Sequence, residues 1–176
     1  MTAHSSALLK SSARSKAMSE PNYKQLAKSI RAWGRELGFA QLAITDIDLG
    51  DYHDSYREWL SDDCHGDMAY MAENLDKRLH PERLVEGTCR IISVRMDYAK
   101  VADNSLAPLS KSNIAYIARY ARGRDYHKVM RKRLQKLADK IQSEVGQFGY
   151  RAFVDSAPVL ERALAEKAGL GWIGKN

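Results

Sequence analysis

The sequence of 176 residues contains little cysteine, little proline and no long apolar run. Its two cysteines, Cys64 and Cys89, are too few for a disulfide framework or a cysteine-rich metal site, which indicates a reducing, cytoplasmic environment and no protein-bound metal. No apolar segment approaches the ~20 residues that a membrane-spanning helix needs, so we expect no membrane association. The patterns of a P-loop, a nucleophile elbow and a zinc protease are also missing, which excludes these common chemistries.

The formal charge of the chain is +6 and is unevenly distributed. Residues 1–18 carry three basic and no acidic side chains, and their composition predicts a disordered tail, with a basic targeting arm as the alternative. Residues 119–140 carry nine Lys and Arg against two Asp, whereas the rest of the chain is acidic. The length suits one domain of roughly 100–200 residues, which we assign to 19–176.

Apolar periodicity predicts alternating helices and strands, which favours an α/β fold. Apolar residues at every third or fourth position predict an amphipathic helix from Tyr23 to Leu37 and a long helix over 125–145. A last helix is expected over 158–168. Four strands are predicted, at 39–45, 90–98, 114–121 and 150–154.

The segment 169–174 matches the dinucleotide-binding pattern G-x-G-x-x-G letter for letter. That function requires the glycines to follow a strand and to begin a helix, so that the helix N-terminus meets a pyrophosphate. Here the glycines follow a predicted helix, and we therefore interpret Gly169 as the residue that ends it.

The basic segment 125–140 has two interpretations. It is either the solvated face of an amphipathic helix or a surface that contacts the phosphates of a nucleic acid. Tyr120, Tyr126 and His127 alternate with arginines next to this segment, an arrangement that suits base stacking combined with phosphate contact. Composition alone leaves both interpretations open.

Asp155 directly follows the apolar segment 152–154 and precedes Pro158 and a predicted helix. Open α/β sheets bind ligands at the carboxyl ends of their strands, so a carboxylate in this position is a candidate general acid. We expect apolar neighbours to desolvate it, which favours the protonated form that a proton donor needs. The alternative is that Asp155 or Ser156 caps the helix that follows.

Several motifs occur in a fixed order along the chain and together resemble those of one enzyme family. They are 77–81 (KRLHP), 91–98 (IISVRMDY), 119–127 (RYARGRDYH), 154–158 (VDSAP), 160–162 (LER) and 165–176 (AEKAGLGWIGKN). By this set the chain resembles the amino-terminal part of epoxyqueuosine reductase, from about Tyr23 to Asn176.

The resemblance implies a cobalamin-dependent oxidoreductase that reduces epoxyqueuosine to queuosine at the wobble position of tRNA. It implies a mixed sheet flanked by helices, related in fold to the cobalamin domain of reductive dehalogenases. It also implies a monomer whose partner is tRNA. The cobalamin of that family has no histidine axial ligand. This agrees with the sequence, in which Asp51-x-His53 matches only the beginning of the motif by which some other cobalamin enzymes supply such a histidine.

The resemblance also implies roles for individual residues. Asp155 is the expected proton donor, and Arg162 is expected to face the substrate nucleoside. The corrin is expected to lie against Asp155 and four further residues, Arg78, Ala118, Arg119 and Tyr120. The expected contacts with the tRNA are basic side chains, namely Arg122, Arg124, His127, Lys128, Arg131 and Lys132.

One departure separates the chain from the family pattern. The family continues with a ferredoxin-like domain whose Cys-x-x-Cys motifs hold two 4Fe–4S clusters, and these ligands are absent from this sequence. We therefore expect a cobalamin-binding domain truncated before the iron–sulfur domain. Two alternatives stay open: a reductive dehalogenase-like cobalamin domain, and a non-catalytic remnant that binds tRNA or cobalamin.

Overall fold

The computed structural model describes residues 22–97 and 107–174, so the predicted tail at 1–18 lies outside the described residues. The helices are α1 (Tyr23–Glu36), α2 (Tyr52–Ser61), α3 (Leu75–Leu79), α4 (Tyr126–Val145) and α5 (Glu161–Lys167). The strands are β1 (Gln41–Thr45) and β2 (Ile91–Arg95). Within the described ranges, no helix combines the length and apolarity that crossing a membrane requires.

The two strands pair antiparallel, and helices cover both faces of the ribbon. Gln41 lies opposite Arg95 and Thr45 opposite Ile91. Since successive side chains of a strand point to opposite faces, the two faces contribute to different hydrophobic clusters. One cluster joins Ile30 of α1 to Leu137 and Ile141 of α4, and the sheet residues packed on it are Leu42, Ile44 and Ile92.

The second cluster lies against α5. Leu49, Ala163 and Leu164 are its buried members, and Ile91 of β2 packs on them. The chain therefore forms three layers, with α1 and α4 on one side of the ribbon and α5 on the other. This arrangement places the beginning of α4 and the segment before α5 within reach of each other.

Two helices end in the same glycine motif. The N–H of Gly38 donates to the carbonyl of Arg35 at the end of α1, and the N–H of Gly169 donates to the carbonyl of Glu166 at the end of α5. Both glycines have left-handed backbone angles, with φ of 83° and 81°, which is the usual way to satisfy the last carbonyls of a helix. The interpretation of Gly169 as the residue that ends a helix is confirmed.

The predictions for α1, β1, β2 and α4 are confirmed to within a few residues. The strands predicted at 114–121 and 150–154 are wrong, since the first contains a 3-10 turn at Arg119–Ala121 and the second is irregular. The predicted mixed sheet is also wrong for the described part of the chain, whose sheet is two-stranded and antiparallel. Both extra segments are apolar enough for strands, but neither pairs with a strand within residues 22–97 and 107–174, and pairing is what stabilises a strand.

Candidate active site

Asp125 is the N-cap of α4 and orients the residue two positions later. Its Oδ1 accepts hydrogen bonds from the backbone N–H of His127 and from Nδ1 of the His127 ring, both at 3.0 Å. The first bond caps the helix, because the early N–H groups of a helix have no partner within it. The second fixes the imidazole, and these bonds hold the pKa of the Asp125 carboxyl below its ordinary value.

Asp155 lies on the irregular segment between α4 and α5. It follows the buried Val154 and has a left-handed backbone with φ of 54°. Such a conformation is uncommon for a residue other than glycine and is found most often at functional sites. The expected desolvation by apolar neighbours is wrong in this structure, because the Asp155 side chain is 53% exposed.

Asp155 does not cap the helix that follows it. The N-cap residue of α5 is Leu160, which makes no side-chain cap hydrogen bond. The alternative that Asp155 or Ser156 serves as the cap is therefore wrong. The Asp155 side chain is instead directed towards the start of α4.

The start of α4 provides two partners for Asp155. The hydroxyl of Tyr126 donates a hydrogen bond to Oδ2 of Asp155, and Nε2 of His127 lies 3.5 Å from the same oxygen. The bond to Asp155 is the main cause that raises the pKa of Tyr126 to about 12. The rings of Tyr126 and His127 stack with their centroids 4.0 Å apart.

Sequence reasoning missed this use of Tyr126 and His127, which it had considered for contacts with RNA. The available signal was the tripeptide Asp125-Tyr126-His127 at a predicted helix start. A capping aspartate fixes the first helical turn, and its two neighbours then have defined directions. The local pattern does not reveal that these side chains point towards Asp155, which follows Tyr126 by 29 residues. That contact depends on the tertiary structure.

Tyr120 extends this cluster towards an exposed apolar segment. Its ring meets that of Tyr126 edge to face at 6.4 Å. Five large apolar side chains of residues 109–120 are at least 45% exposed, namely Leu109, Ile114, Tyr116, Ile117 and Tyr120. Ala118 is exposed in the same segment, and Arg119 begins the 3-10 turn. Exposed apolar residues grouped in this way are typical of a surface that binds a ligand or another protein segment.

Residues at the start of α5 also lie close to the cluster. Partial burial, followed by the nearby Asp155 carboxylate, raises the pKa of Glu161. Arg162, the next residue, is exposed. The structure therefore keeps Arg162 available to a ligand, on the helix that follows the Asp155 segment.

Arg78 has a different environment from the other predicted corrin-binding residues. Its Nη2 donates to the carbonyl of Tyr70 at 2.9 Å and its Nε to that of Glu73 at 3.2 Å. These bonds tie the segment before α3 to the helix itself. Among the described residues, no hydrogen bond or ion pair joins Arg78 to Asp155.

The basic residues near α4 divide into two groups. Arg133 donates to the carbonyl of Gly38 at 2.9 Å, and Lys140 pairs with Glu36 at 3.1 Å, so both fasten α4 to the end of α1. Arg122 donates to the carbonyl of Ile117 at 2.9 Å. Five further basic side chains are exposed on the outer side, namely Arg124, Lys128, Arg131, Lys132 and Lys136. The basic residues of α4 therefore occupy two kinds of position, in contact with the end of α1 and exposed to solvent.

Known proteins are similar to this chain in sequence and in fold. The family model for epoxyqueuosine reductase QueG, DUF1730, matches residues 78–156. The curated epoxyqueuosine reductase of Pseudomonas aeruginosa is 56% identical over 159 residues, which cover 90% of this chain and 44% of the relative.

Solved structures give the same result. Epoxyqueuosine reductase from Streptococcus thermophilus is 26% identical with a TM-score of 0.69, over 84% of this chain and 40% of that one. A crystal structure of epoxyqueuosine reductase with an epoxyqueuosine-modified tRNA-Tyr stem loop is 24% identical with a TM-score of 0.67, over 86% and 40%. The chain is thus similar in sequence and fold to epoxyqueuosine reductases, and it spans less than half the length of the relatives that it matches.

Proposed function

We propose that this chain is the cobalamin-binding part of an epoxyqueuosine reductase that acts on the wobble base of tRNA. The observation that carries the proposal is the 56% identity with a curated epoxyqueuosine reductase over 90% of this chain. The solved relative that holds an epoxyqueuosine-modified stem loop supports tRNA as the substrate. We also propose that the fold of this chain is related to that of the cobalamin domain of reductive dehalogenases.

The exposed surface around Asp155 fits a corrin. A corrin is a broad and largely apolar disc, and the exposed apolar segment 109–120 is connected to the Asp155 cluster by the contact of the Tyr120 ring with that of Tyr126. Ala118, Arg119 and Tyr120 would lie against the ring together with Asp155, and Arg78 would lie at its margin. When bound, cobalamin supplies the reducing electrons, and the protein's part is to bind, orient and protonate.

Asp155 acts as the proton donor to the oxygen of the opening epoxide. Protonation as the C–O bond breaks avoids the release of a strongly basic alkoxide. Tyr126 holds the carboxyl in place through its hydrogen bond to Oδ2. Arg162, exposed at the start of α5, contacts the nucleoside.

The exposed basic residues of α4 contact the phosphates of the tRNA. Lys128, Arg131 and Lys132 lie within one helical turn of each other and are exposed. Arg122 and Arg124 extend this surface towards Asp155. Each phosphate that such a side chain neutralises releases counterions and so strengthens binding.

A chimaera tests the proposal. This chain replaces the matching 159 residues of the Pseudomonas aeruginosa relative, in cells that lack their own epoxyqueuosine reductase, and the nucleosides of their tRNA are analysed by mass spectrometry. We expect queuosine from the chimaera and stoichiometric cobalamin in the purified protein. Absence of both would overturn the proposal.

Asp155→Asn in the chimaera tests the proton donor. We expect cobalamin to stay bound while turnover falls ~10²–10⁴-fold, the usual contribution of a positioned general acid. Asp62→Asn, which changes an exposed carboxylate at the end of α2, is the matched control and should leave turnover unchanged. Full activity of Asp155→Asn would exclude Asp155 as the donor.

A further inference from the structure

The His127 imidazole lies between two carboxylates. Its Nδ1 is 3.0 Å from Oδ1 of Asp125, and its Nε2 is 3.5 Å from Oδ2 of Asp155. The three side chains are each between 43% and 53% exposed, so the ring is open to water on one side. Asp125 is fixed because it also caps α4, and the imidazole therefore has a defined orientation towards Asp155.

The proposed reaction needs more protons than Asp155 can hold. Two-electron reduction of an epoxide consumes two protons, whether the product is an alkene and water or an alcohol. A single carboxyl group donates one of them and is then a carboxylate. A second group has to return a proton to Asp155, or supply the remaining proton, before the next turnover.

We propose that His127 is a proton relay that reloads Asp155 from solvent, an inference that rests on the proposed function. After Asp155 has given its proton to the substrate oxygen, the imidazolium Nε2–H bond breaks and a new O–H bond forms on Oδ2 of Asp155. The neutral ring then takes a proton at Nε2 from a water molecule, whose O–H bond breaks and whose hydroxide is neutralised by the buffer, while Asp125 accepts the hydrogen bond from Nδ1–H. The relay itself moves protons alone, and bound cobalamin would supply the electrons.

The other two groups near Asp155, Tyr126 and Glu161, are less suited to relay protons than His127 is. Tyr126 contacts the same oxygen of Asp155, but its phenol, with a pKa raised to about 12, keeps its proton near neutral pH and so acts by positioning. Glu161 also lies near Asp155, but an ionised carboxylate has no proton to give. No second carboxylate orients Glu161 in the way that Asp125 orients the His127 imidazole. An imidazole is the side chain that exchanges protons with water most readily near neutral pH.

NMR of the imidazole nitrogens tests the geometry in the 176-residue chain itself. We expect Asp155→Asn to shift the Nε2 resonance of His127 and Asp125→Asn to shift its Nδ1 resonance. Glu144→Gln, at an exposed position near the other end of α4, is the control and should shift neither. An unchanged Nε2 resonance in Asp155→Asn would overturn the relay, whatever the enzyme's activity.

Kinetics in the chimaera test the proton transfer. His127→Gln keeps a hydrogen-bonding side chain but cannot relay a proton, and we expect kcat to fall by about tenfold or more with KM for the stem loop unchanged. Added imidazole should restore kcat to His127→Ala but not to Tyr126→Phe.

Other kinetic outcomes decide against the relay. A rise in KM at constant kcat would make His127 a contact for RNA, as its sequence context first indicated. A loss of kcat that imidazole does not restore would make its role structural. An inactive parent chimaera would instead count against the proposed function, and the NMR result would still decide whether His127 and Asp155 interact.

Discussion

The Tyr126 hydroxyl donates its hydrogen bond to Oδ2 of Asp155, the oxygen that also lies 3.5 Å from Nε2 of His127. Two side chains from the first turn of α4 therefore contact the same carboxylate oxygen. The Asp155 segment has no regular hydrogen bonding of its own, and its left-handed backbone would be costly without such contacts. The start of α4 thus fixes the direction of the proposed proton donor.

The first prediction concerns the phenol of Tyr126. Its pKa is raised to about 12, chiefly by the hydrogen bond to the Asp155 carboxylate, and we expect Asp155→Ala to return it towards the ordinary value near 10. Because folding raises this pKa, the hydrogen bond between Tyr126 and Asp155 stabilises the folded state below pH ~10. This stabilisation is lost as the pH rises through ~12. The measurement is a pH titration of the ¹³Cζ resonance of Tyr126, with Tyr23, an exposed tyrosine, as the internal control. An unshifted phenol in the parent chain would contradict the contact.

The second prediction compares two glycines that end helices. A Cβ on Gly38 would lie 2.9 Å from Nη1 of Arg133, whereas a Cβ on Gly169 would have no atom within 4 Å. Both substitutions to alanine incur the left-handed backbone cost of ~1–2 kcal/mol. Gly38→Ala should lose a further ~0.5–1.5 kcal/mol, because Arg133 has to leave its hydrogen bond to the Gly38 carbonyl. Urea unfolding measures both, and equal losses would show that the Arg133 contact contributes nothing.

The elements of the fold that could be predicted are those with local signals. The sequence of α1 has a regular apolar stripe from Tyr23 to Leu37, and that of α4 has an apolar face over 125–145. Such signals lie within one segment and need no knowledge of its neighbours. Their positions were therefore predicted to within one or two residues.

The segments 114–121 and 150–154 show why the rest could not be predicted. Their apolar residues are equally compatible with a strand and with an irregular segment, and the difference depends on a pairing partner elsewhere in the chain. The candidate site has the same limit. Asp155 was recognised from its place after an apolar run, but its contacts with Tyr126 and His127 require the packing of α4 on the sheet.

The third prediction concerns Lys167, whose ammonium joins two acidic residues. It lies 2.5 Å from Oδ1 of Asp46 and 3.5 Å from Oδ2 of Asp48. The hydrogen bond from Lys167 is the main cause that lowers the pKa of Asp46, and the backbone N–H of Gly50, followed by Lys167, lowers that of Asp48. Their stabilisation is therefore present above the ordinary carboxyl range near pH ~4 and is lost as the pH falls through the lowered values.

Lys167→Met keeps the aliphatic stem and removes the charge. We expect a lower urea midpoint than that of the parent at pH 7, and midpoints that converge as the pH is lowered below 4. Lys24→Met, at an exposed position of α1, is the control and should change neither the midpoint nor its dependence on pH. A difference that persists unchanged in acid would assign the effect to packing rather than to charge.

The fourth prediction uses the division of the basic residues on α4. Lys128 is exposed, whereas Lys140 pairs with Glu36 and lies 5.7 Å from the Trp33 ring centroid. If the outer face contacts tRNA phosphates, Lys128→Ala should weaken binding of the stem loop and reduce the slope of log affinity against log salt by about 1. Lys140→Ala removes the same charge from the same helix, and it should leave that slope unchanged while lowering the free energy of unfolding. Equal slopes for both variants and the parent would reject a phosphate contact at Lys128, and equal reductions in both would show that net charge, rather than the outer face, attracts the RNA.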